Sequence, residues 1–160
     1  MSENQGVRIE RVFDAPVELV WKMWTDPEMM KKWWGPNHYS APTVEIDLRV
    51  GGKSVLAMQG PDGNIMYSGG VYKEIIPLKK IVTSDSFTDK DGNPISPAEV
   101  GMPDFPQEME VTLTFEEKEG KTYMLLVHKP VDGTISENMI KSMNEGWSQS
   151  FDKLVEELKK

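Results

Sequence analysis

The last quarter of the chain has the pattern of one long amphipathic helix. After a capping-box pattern at residues 134–137, the run to the C-terminus contains no proline and only one weak helix former, Gly146. Its large apolar side chains recur every three or four residues: Ile140, Met143, Trp147, Phe151, Leu154 and Leu158. This spacing places them in one stripe along a helix of about 25 residues and ~37 Å. Because such a stripe is stable only when covered, the rest of the chain must supply a broad apolar surface.

Most of the preceding chain has the alternating pattern of β-strands. Seven strands are predicted, at residues 7–13, 43–48, 53–58, 66–76, 81–85, 108–115 and 122–128. Mostly short turns separate them, which favours antiparallel hairpins over helical crossovers. Gly69 and Gly70 fall inside the fourth strand and indicate a bulge, a bend or a close approach of neighbouring backbone. The predicted fold class is therefore α+β, with a curved antiparallel sheet packed on the terminal helix.

Two short helices are predicted between the first and second strands. In the first of them, Trp21 and Trp24 share one apolar face. Asp26 and Pro27 form the start signal of the second helix, and the Trp-Trp-Gly-Pro sequence at residues 33–36 ends it. The predicted order is thus a strand, two short helices, six more strands and a long helix.

Short motifs spaced along nearly the whole chain resemble those of a known family. They include Phe13-Asp14-Ala15-Pro16, Thr25-Asp26-Pro27, Trp33-Trp34-Gly35-Pro36, Gly51-Gly52, Gly69-Gly70-Val71 and Gly146-Trp147. In this order they resemble the activator of heat-shock protein 90 ATPase homologue family, within the START and Bet v 1-like superfamily called SRPBCC. The resemblance implies the helix-grip fold, in which a seven-stranded curved sheet wraps around the C-terminal helix. It also implies a deep cavity between sheet and helix, which the superfamily uses for lipids, sterols, polyketides and other apolar ligands.

A single domain spanning residues 1–160 is expected, because 160 residues fall in the usual size range of one compact unit. Residues 86–107 interrupt the strand pattern and are longer than most irregular loops. Two accounts fit this segment. It is either a tolerated surface insertion, or a lid or rim around a binding site with Phe87, Met102 and Phe105 as apolar contacts.

Charge and missing residue types exclude several functions. Lys and Arg total 18 against 26 Asp and Glu, a net charge of -8, which is the wrong sign for binding nucleic acid or anionic lipid. No apolar run approaches the ~20 residues of a membrane span, and residues 1–6 are polar, so a cytoplasmic location without membrane insertion is expected. With no Cys, and with His38 and His128 lacking the partners of a metal site, no metal or cofactor is predicted.

The 11 Met and 5 Trp indicate an irregular core or an adaptable cavity, since Met is flexible and Trp offers a broad apolar face. With the resemblance, the predicted ligand-binding residues are Trp33, Trp34, His38, Met58, Tyr67, Val71, Phe87, Phe105, Met139, Met143 and Trp147. Plain packing is the alternative interpretation of each. Asp47 and Glu74 would act as general acid or base only if their strands turned them inward.

Three functions remain open on the sequence. The first is binding of a small hydrophobic or aromatic ligand, such as a lipid or polyketide, in the cavity. The second is an enzyme of the polyketide cyclase or aromatase kind, although the sequence contains no catalytic motif. The third, implied by the family resemblance, is association with a chaperone of the heat-shock protein 90 type. Either a monomer or a homodimer is compatible with the sequence.

Overall fold

Seven strands form one antiparallel sheet in the computed structural model, which describes residues 6–160. The strands are β1 (Val7–Phe13), β2 (Val44–Ile46), β3 (Lys53–Gln59), β4 (Ile65–Ile76), β5 (Lys80–Thr88), β6 (Met109–Lys118) and β7 (Lys121–Pro130). Their order across the sheet is β1-β7-β6-β5-β4-β3-β2. Consecutive strands from β2 to β7 therefore form a meander, and β1 pairs with its last strand. Residues 1–5, which make up most of the polar segment considered above, lie outside the described residues.

Three α-helices accompany the sheet in the described part of the chain: α1 (Val17–Thr25), α2 (Pro27–Met30) and α3 (Glu137–Leu158). The Asp26 carboxylate accepts a hydrogen bond from the Glu28 backbone N–H at 2.9 Å and caps α2 as predicted. The 22 residues of α3 span ~33 Å. The α+β helix-grip architecture is therefore confirmed. Within residues 6–160, no helix is both long enough and apolar enough to cross a membrane.

The start of α3 differs from the predicted capping box at residues 134–137. Ser136 caps the helix, because its hydroxyl oxygen accepts a hydrogen bond from the Met139 N–H at 3.1 Å. Ile135, which lay inside the predicted box, is instead a buried core residue. The helix consequently begins at Glu137.

The segment predicted as an irregular loop at residues 86–107 is ordered at its start, because β5 continues to Thr88. There Phe87 pairs with Ser68, and Thr88 pairs with Tyr67. The remaining connection to β6 carries a short 3₁₀ helix (Pro97–Val100) with its own capping box. It also returns to the sheet, since the Ile95 N–H donates to the Phe87 carbonyl at 2.9 Å.

Gly69 and Gly70 permit close approach between β4 and both of its neighbours. A Cβ atom at Gly69 would lie 2.0 Å from the Ser54 carbonyl oxygen of β3. At Gly70 it would lie 1.9 Å from the Ser84 carbonyl oxygen of β5. Of the three alternatives predicted for this pair, the structure shows the close approach of neighbouring backbone, and a register shift follows between Tyr72 and Glu74.

The packed core surrounds the C-terminal half of α3. Phe151 is fully buried, and its ring centroid lies 6.2 Å from those of Phe13 and Trp33 and 6.1 Å from that of Trp24. Leu154 is equally buried one turn later. The long helix is thus fixed to the sheet and to α1 through this half.

Candidate functional site

A cavity of about 310 Å³ lies between the sheet and the middle of α3, which lines it from Met143 to Ser150. Most of its wall is apolar, and strands β2 to β7, the segment after α2 and the connection between β5 and β6 all contribute. Its lining comprises Trp24, Met30, Trp34, Gly35, Pro36, Ile46, Ser54, Leu56, Met58, Ser68, Gly69, Tyr72, Ile81, Thr83, Ser84, Asp85, Ser86, Phe87, Phe105, Val111, Leu113, His128, Met143, Gly146, Trp147 and Ser150.

Six of the eleven predicted ligand-binding residues line this cavity: Trp34, Met58, Phe87, Phe105, Met143 and Trp147. Two aromatic pairs form among them. Trp34 and Trp147 meet edge to face at 5.4 Å between ring centroids, and Phe87 and Phe105 lie 5.3 Å apart. Phe105 comes from the connection between β5 and β6, so that this connection folds over part of the cavity.

Tyr67 and Val71 do not line the cavity, because they lie on the other face of β4. Side chains alternate between the two faces of a strand, and the cavity receives the even-numbered Ser68 and Tyr72. The pairing of Ser68 with the cavity-lining Leu56 on β3 confirms this register. Val71 is accordingly exposed. Assigning both residues to the site from the sequence was wrong by one position along the strand.

Three further predicted residues lie outside the cavity lining. Trp33 is fully buried in the core, where its indole N–H donates to the Met23 carbonyl at 2.9 Å. His38 is exposed after α2, in a turn where its φ is 73°. Met139 lies in the first turn of α3, before the part of the helix that borders the cavity.

Two side chains of α3 bind the segment after α2 and thereby hold Pro36, which lines the cavity, in place. The Gln149 side chain accepts a hydrogen bond from the Asn37 N–H at 3.0 Å. Lys153 donates to the carbonyls of Pro36 and Tyr39, both at 3.3 Å. Partial burial lowers the pKa of the Lys153 ammonium.

Asp85, His128 and Trp147 form a hydrogen-bonded chain in the cavity wall. The Nε2 atom of His128 lies 2.7 Å from Oδ2 of Asp85, and the indole nitrogen of Trp147 lies 3.1 Å from Nδ1 of His128. An indole N–H can only donate, so Nδ1 of His128 must accept. The imidazole proton therefore resides on Nε2 and is donated to the Asp85 carboxylate. In this arrangement the imidazole is neutral.

The strand register explains how these side chains meet. Val111 on β6 pairs with Thr83 on β5 and with His128 on β7, so that all three lie in one row across the sheet. Asp85 lies on the same face as Thr83, two residues farther along β5, and reaches His128 across β6. Trp147 approaches His128 from α3. The chain thus links two strands to the helix at the border of the cavity.

Tyr72 adds a protonated phenol to the cavity wall. Its side chain is buried, and this burial, followed by the negative charge of Asp47, raises the pKa of Tyr72 to about 12. The phenol consequently remains a neutral hydrogen-bonding group at physiological pH. Asp47 itself is exposed and binds Arg49 at 2.9 Å.

The carboxylates considered from the sequence as acids or bases do not border the cavity. Asp47 pairs with Arg49, and Glu74 pairs with Lys80 at 3.1 Å. Asp85 borders the cavity instead. Among residues 6–160 no group of His, Asp and Glu side chains has the arrangement of a metal site.

Sequence reasoning missed His128 and Asp85 as members of one site, although a signal was present. On β7 the buried positions are Thr122, Met124, Leu126, His128 and Pro130, so a histidine lies within an inward-facing run. A titratable residue on the buried face of an alternating strand is unusual and requires a partner. The register that brings Asp85 to it spans three strands and is absent from any local pattern.

The comparisons with known proteins agree with this architecture. The family model described as "Activator of Hsp90 ATPase homolog 1-like protein" matches residues 14–159. A search of the curated proteins found no match.

Solved structures similar to this chain come from several bacteria. Protein NE0264 from Nitrosomonas europaea has a TM-score of 0.78 and 24% identity, over 99% of this chain and 96% of that one. A protein from Arthrobacter aurescens has a TM-score of 0.76 and 27% identity, over 95% and 84% of the two chains. The AHSA1 protein from Silicibacter pomeroyi has a TM-score of 0.72 and 23% identity, over 95% and 96%. The chain described here belongs to the activator of Hsp90 ATPase homolog 1-like family.

Proposed function

We propose that this protein binds a small hydrophobic or aromatic molecule in the cavity between the sheet and α3. The observation that carries the proposal is the cavity itself, about 310 Å³ in volume with a mainly apolar wall. Small-molecule sites are typically concave and mostly apolar with a few polar groups, because a ligand buried there removes apolar surface from water. Hydrophobic ligands are also common in the fold family to which the chain belongs.

Gly146 supports this proposal from the side of the helix. It lies in the middle of α3 and lines the cavity, and a Cβ atom built on it would have no heavy atom within 4 Å. Glycine inside a helix costs roughly 0.5–1 kcal/mol relative to alanine. Gly146 therefore weakens the helix but leaves space at the cavity wall. This is expected if a ligand occupies that space.

The decisive experiment uses a substitution on α3 that places a large side chain in the cavity. The variant Gly146→Phe introduces a ring at the cavity wall, whereas Ser142→Phe adds the same ring at an exposed position of the same helix. Binding of octanol and of naphthalene is measured by calorimetry, and native mass spectrometry of freshly purified protein detects a co-purified ligand. We expect Gly146→Phe to weaken binding by about tenfold or more and Ser142→Phe to leave it unchanged.

Two results would contradict ligand binding in this cavity. One is failure of the wild-type protein to bind either probe or to co-purify with any small molecule. The other is equal binding by wild type and Gly146→Phe with both proteins folded, since the ligand would then occupy another place.

Acid–base catalysis of the cyclase kind is a second candidate, favoured by the presence of Asp85, His128 and Tyr72 in one cavity wall. However, Trp147 and Asp85 engage both ring nitrogens of His128, so that the imidazole has no free lone pair for a substrate proton. This favours binding over catalysis. Conversion of a poly-β-ketone chain to an aromatic product by the wild type, with loss of turnover in folded Asp85→Asn, would reverse that preference.

A further inference from the structure

We propose that the ligand of this cavity is a cationic amphiphile, a protonated amine on a hydrophobic body, whose ammonium group binds the carboxylate of Asp85. This inference rests on the proposed function and names the class of ligand. It follows from the charge of the cavity wall, from the hydrogen bonds of His128 and from the aromatic rings that surround the site.

The cavity wall carries one formal charge. Of the 26 lining residues, all within the described part of the chain, Asp85 is the single one with an ionised side chain once His128 is neutral. Neither lysine nor arginine occurs among them. A hydrophobic ligand that carries a carboxylate or phosphate would place like charges together in a partly desolvated site, whereas an ammonium group would compensate the Asp85 charge.

His128 does not neutralise Asp85. In an ordinary pair of histidine and aspartate, a protonated imidazole would cancel the charge of the carboxylate. Here the indole N–H of Trp147 points at Nδ1 of His128 over 3.1 Å, and a proton on Nδ1 would face that N–H directly. The neutral imidazole therefore donates to Asp85 without removing its negative charge. Trp147 thus preserves the negative charge at this end of the cavity.

Asp85 also retains an oxygen for a ligand. Among residues 6–160, His128 is the only side chain that donates a hydrogen bond to this carboxylate, and it engages Oδ2. The His128 side chain is 8% exposed, whereas that of Asp85 is 29% exposed. His128 thus holds one oxygen of the carboxylate, while the Asp85 side chain borders the cavity and is partly exposed.

The rest of the wall suits a cation with an apolar body. Indole faces attract cations through the ring quadrupole, and Trp24, Trp34 and Trp147 all line the cavity. Phe87 and Phe105 supply apolar surface without charge. The net charge of -8 adds a long-range attraction for cations.

A matched series of ligands tests the assignment: octylamine, octanol and octanoate share one apolar chain and differ in the terminal group. Calorimetry at pH 7 gives the affinity of the wild-type protein for each. We expect octylamine to bind about tenfold more tightly than octanol, since charge-assisted hydrogen bonds are stronger than neutral ones, and octanoate to bind most weakly. Equal or tighter binding of octanol or octanoate would overturn the proposal while leaving the proposed function intact. Failure of all three to bind would overturn the proposal, and the proposed function would fall with it only if naphthalene also failed to bind and no small molecule co-purified.

The variant Asp85→Asn replaces the carboxylate by an amide of the same shape, which can still accept the His128 hydrogen bond. We expect its affinity for octylamine to fall by about tenfold and its affinity for octanol to change by less than about threefold. Asp132→Asn removes the same charge from an exposed loop position and should leave both affinities unchanged. An unchanged octylamine affinity in folded Asp85→Asn would overturn the assignment.

A measurement on the wild-type protein keeps the proposal testable should Asp85→Asn fail to fold. Nitrogen NMR of the His128 ring at pH 7 should show a neutral imidazole with its proton on Nε2. Trp147→Phe keeps an aromatic ring but removes the indole donor, so that Nδ1 becomes free to take up a proton. A doubly protonated His128 ring in the wild type would overturn the proposal, because the site would then carry no net charge.

Discussion

The two halves of α3 face the same sheet, yet the C-terminal half is mainly packed core, whereas the N-terminal half supplies most of the helix residues that border the cavity. In the C-terminal half, Phe151 and Leu154 are fully buried among side chains from β1, α1 and the segment after α2. In the N-terminal half, Met143, Gly146 and Trp147 are only partly buried. The apolar stripe is continuous across both halves. Hydrophobic periodicity therefore identifies a face that must be covered and does not distinguish covering by protein from covering by a ligand.

The difference arises from what lies opposite each half. Phe151 meets the large rings of Phe13, Trp24 and Trp33. Opposite the other half, the sheet presents small or polar side chains, among them Ser54, Ser68 and Thr83. Small residues on the sheet and a glycine on the helix together leave the space unfilled. The cavity thus results from small residues. A search of the sequence for large apolar or titratable side chains overlooks such residues.

The largest expected effect comes from truncating the packed half. Phe151→Ala should lower the free energy of unfolding by ~3–5 kcal/mol, because it removes a buried ring and leaves a void. Met143→Ala, a truncation in the cavity half, should cost less than ~1 kcal/mol in ligand-free protein, since its side chain already borders open space. Urea denaturation measures both. Similar losses for the two variants would show that the halves do not differ in packing.

The pH dependence of stability tests whether the cavity wall is shielded from water. The pKa of Tyr72 is raised from 10.0 to about 12, so above pH 10 the unfolded chain releases a proton that the folded protein retains. Stability is complete below pH 10 and declines as the pH rises toward 12. Over this range the wild type should lose ~2–3 kcal/mol more than Tyr72→Phe. Tyr123→Phe, at an exposed position, should show the same dependence of unfolding free energy on pH as the wild type. The same pH dependence in all three proteins would mean that Tyr72 is hydrated.

The sequence was sufficient to predict the fold because its signals are local and agree with one another. Alternation along the strands, the Asp26 cap of α2 and the stripe of α3 each follow from neighbours within a few residues. The site was predicted only in part. Helical spacing placed Trp147 and Met143 on the apolar stripe of α3, and the family resemblance implied a cavity beside that stripe. Tyr67 and Val71, also predicted for the site, lie on the other face of β4.

The errors in the site have a common physical origin. Which face of a strand is buried depends on its pairing with other strands, and a shift of one residue exchanges the two faces. The glycine pair at residues 69–70 gave no indication of which neighbours of β4 point inward. The contact of Asp85 with His128 joins residues 43 positions apart in the chain, through a register that also involves β6. Such a contact is set by tertiary pairing alone.

The smallest expected effect comes from Gly146, where the stability of α3 can be compared with the space left at the cavity wall. Gly146→Ala should raise the free energy of unfolding by ~0.5–1 kcal/mol, because alanine favours the helix and its Cβ meets no atom within 4 Å. Gly120→Ala also meets no atom, but Gly120 has a φ of 78°, so that the same substitution should be destabilising. Thermal and urea unfolding of ligand-free protein measure both signs. If Gly146→Ala is more stable than the wild type but binds octanol more weakly, the glycine serves the cavity and weakens the helix. If Gly146→Ala is less stable than the wild type, α3 needs glycine here for its own packing.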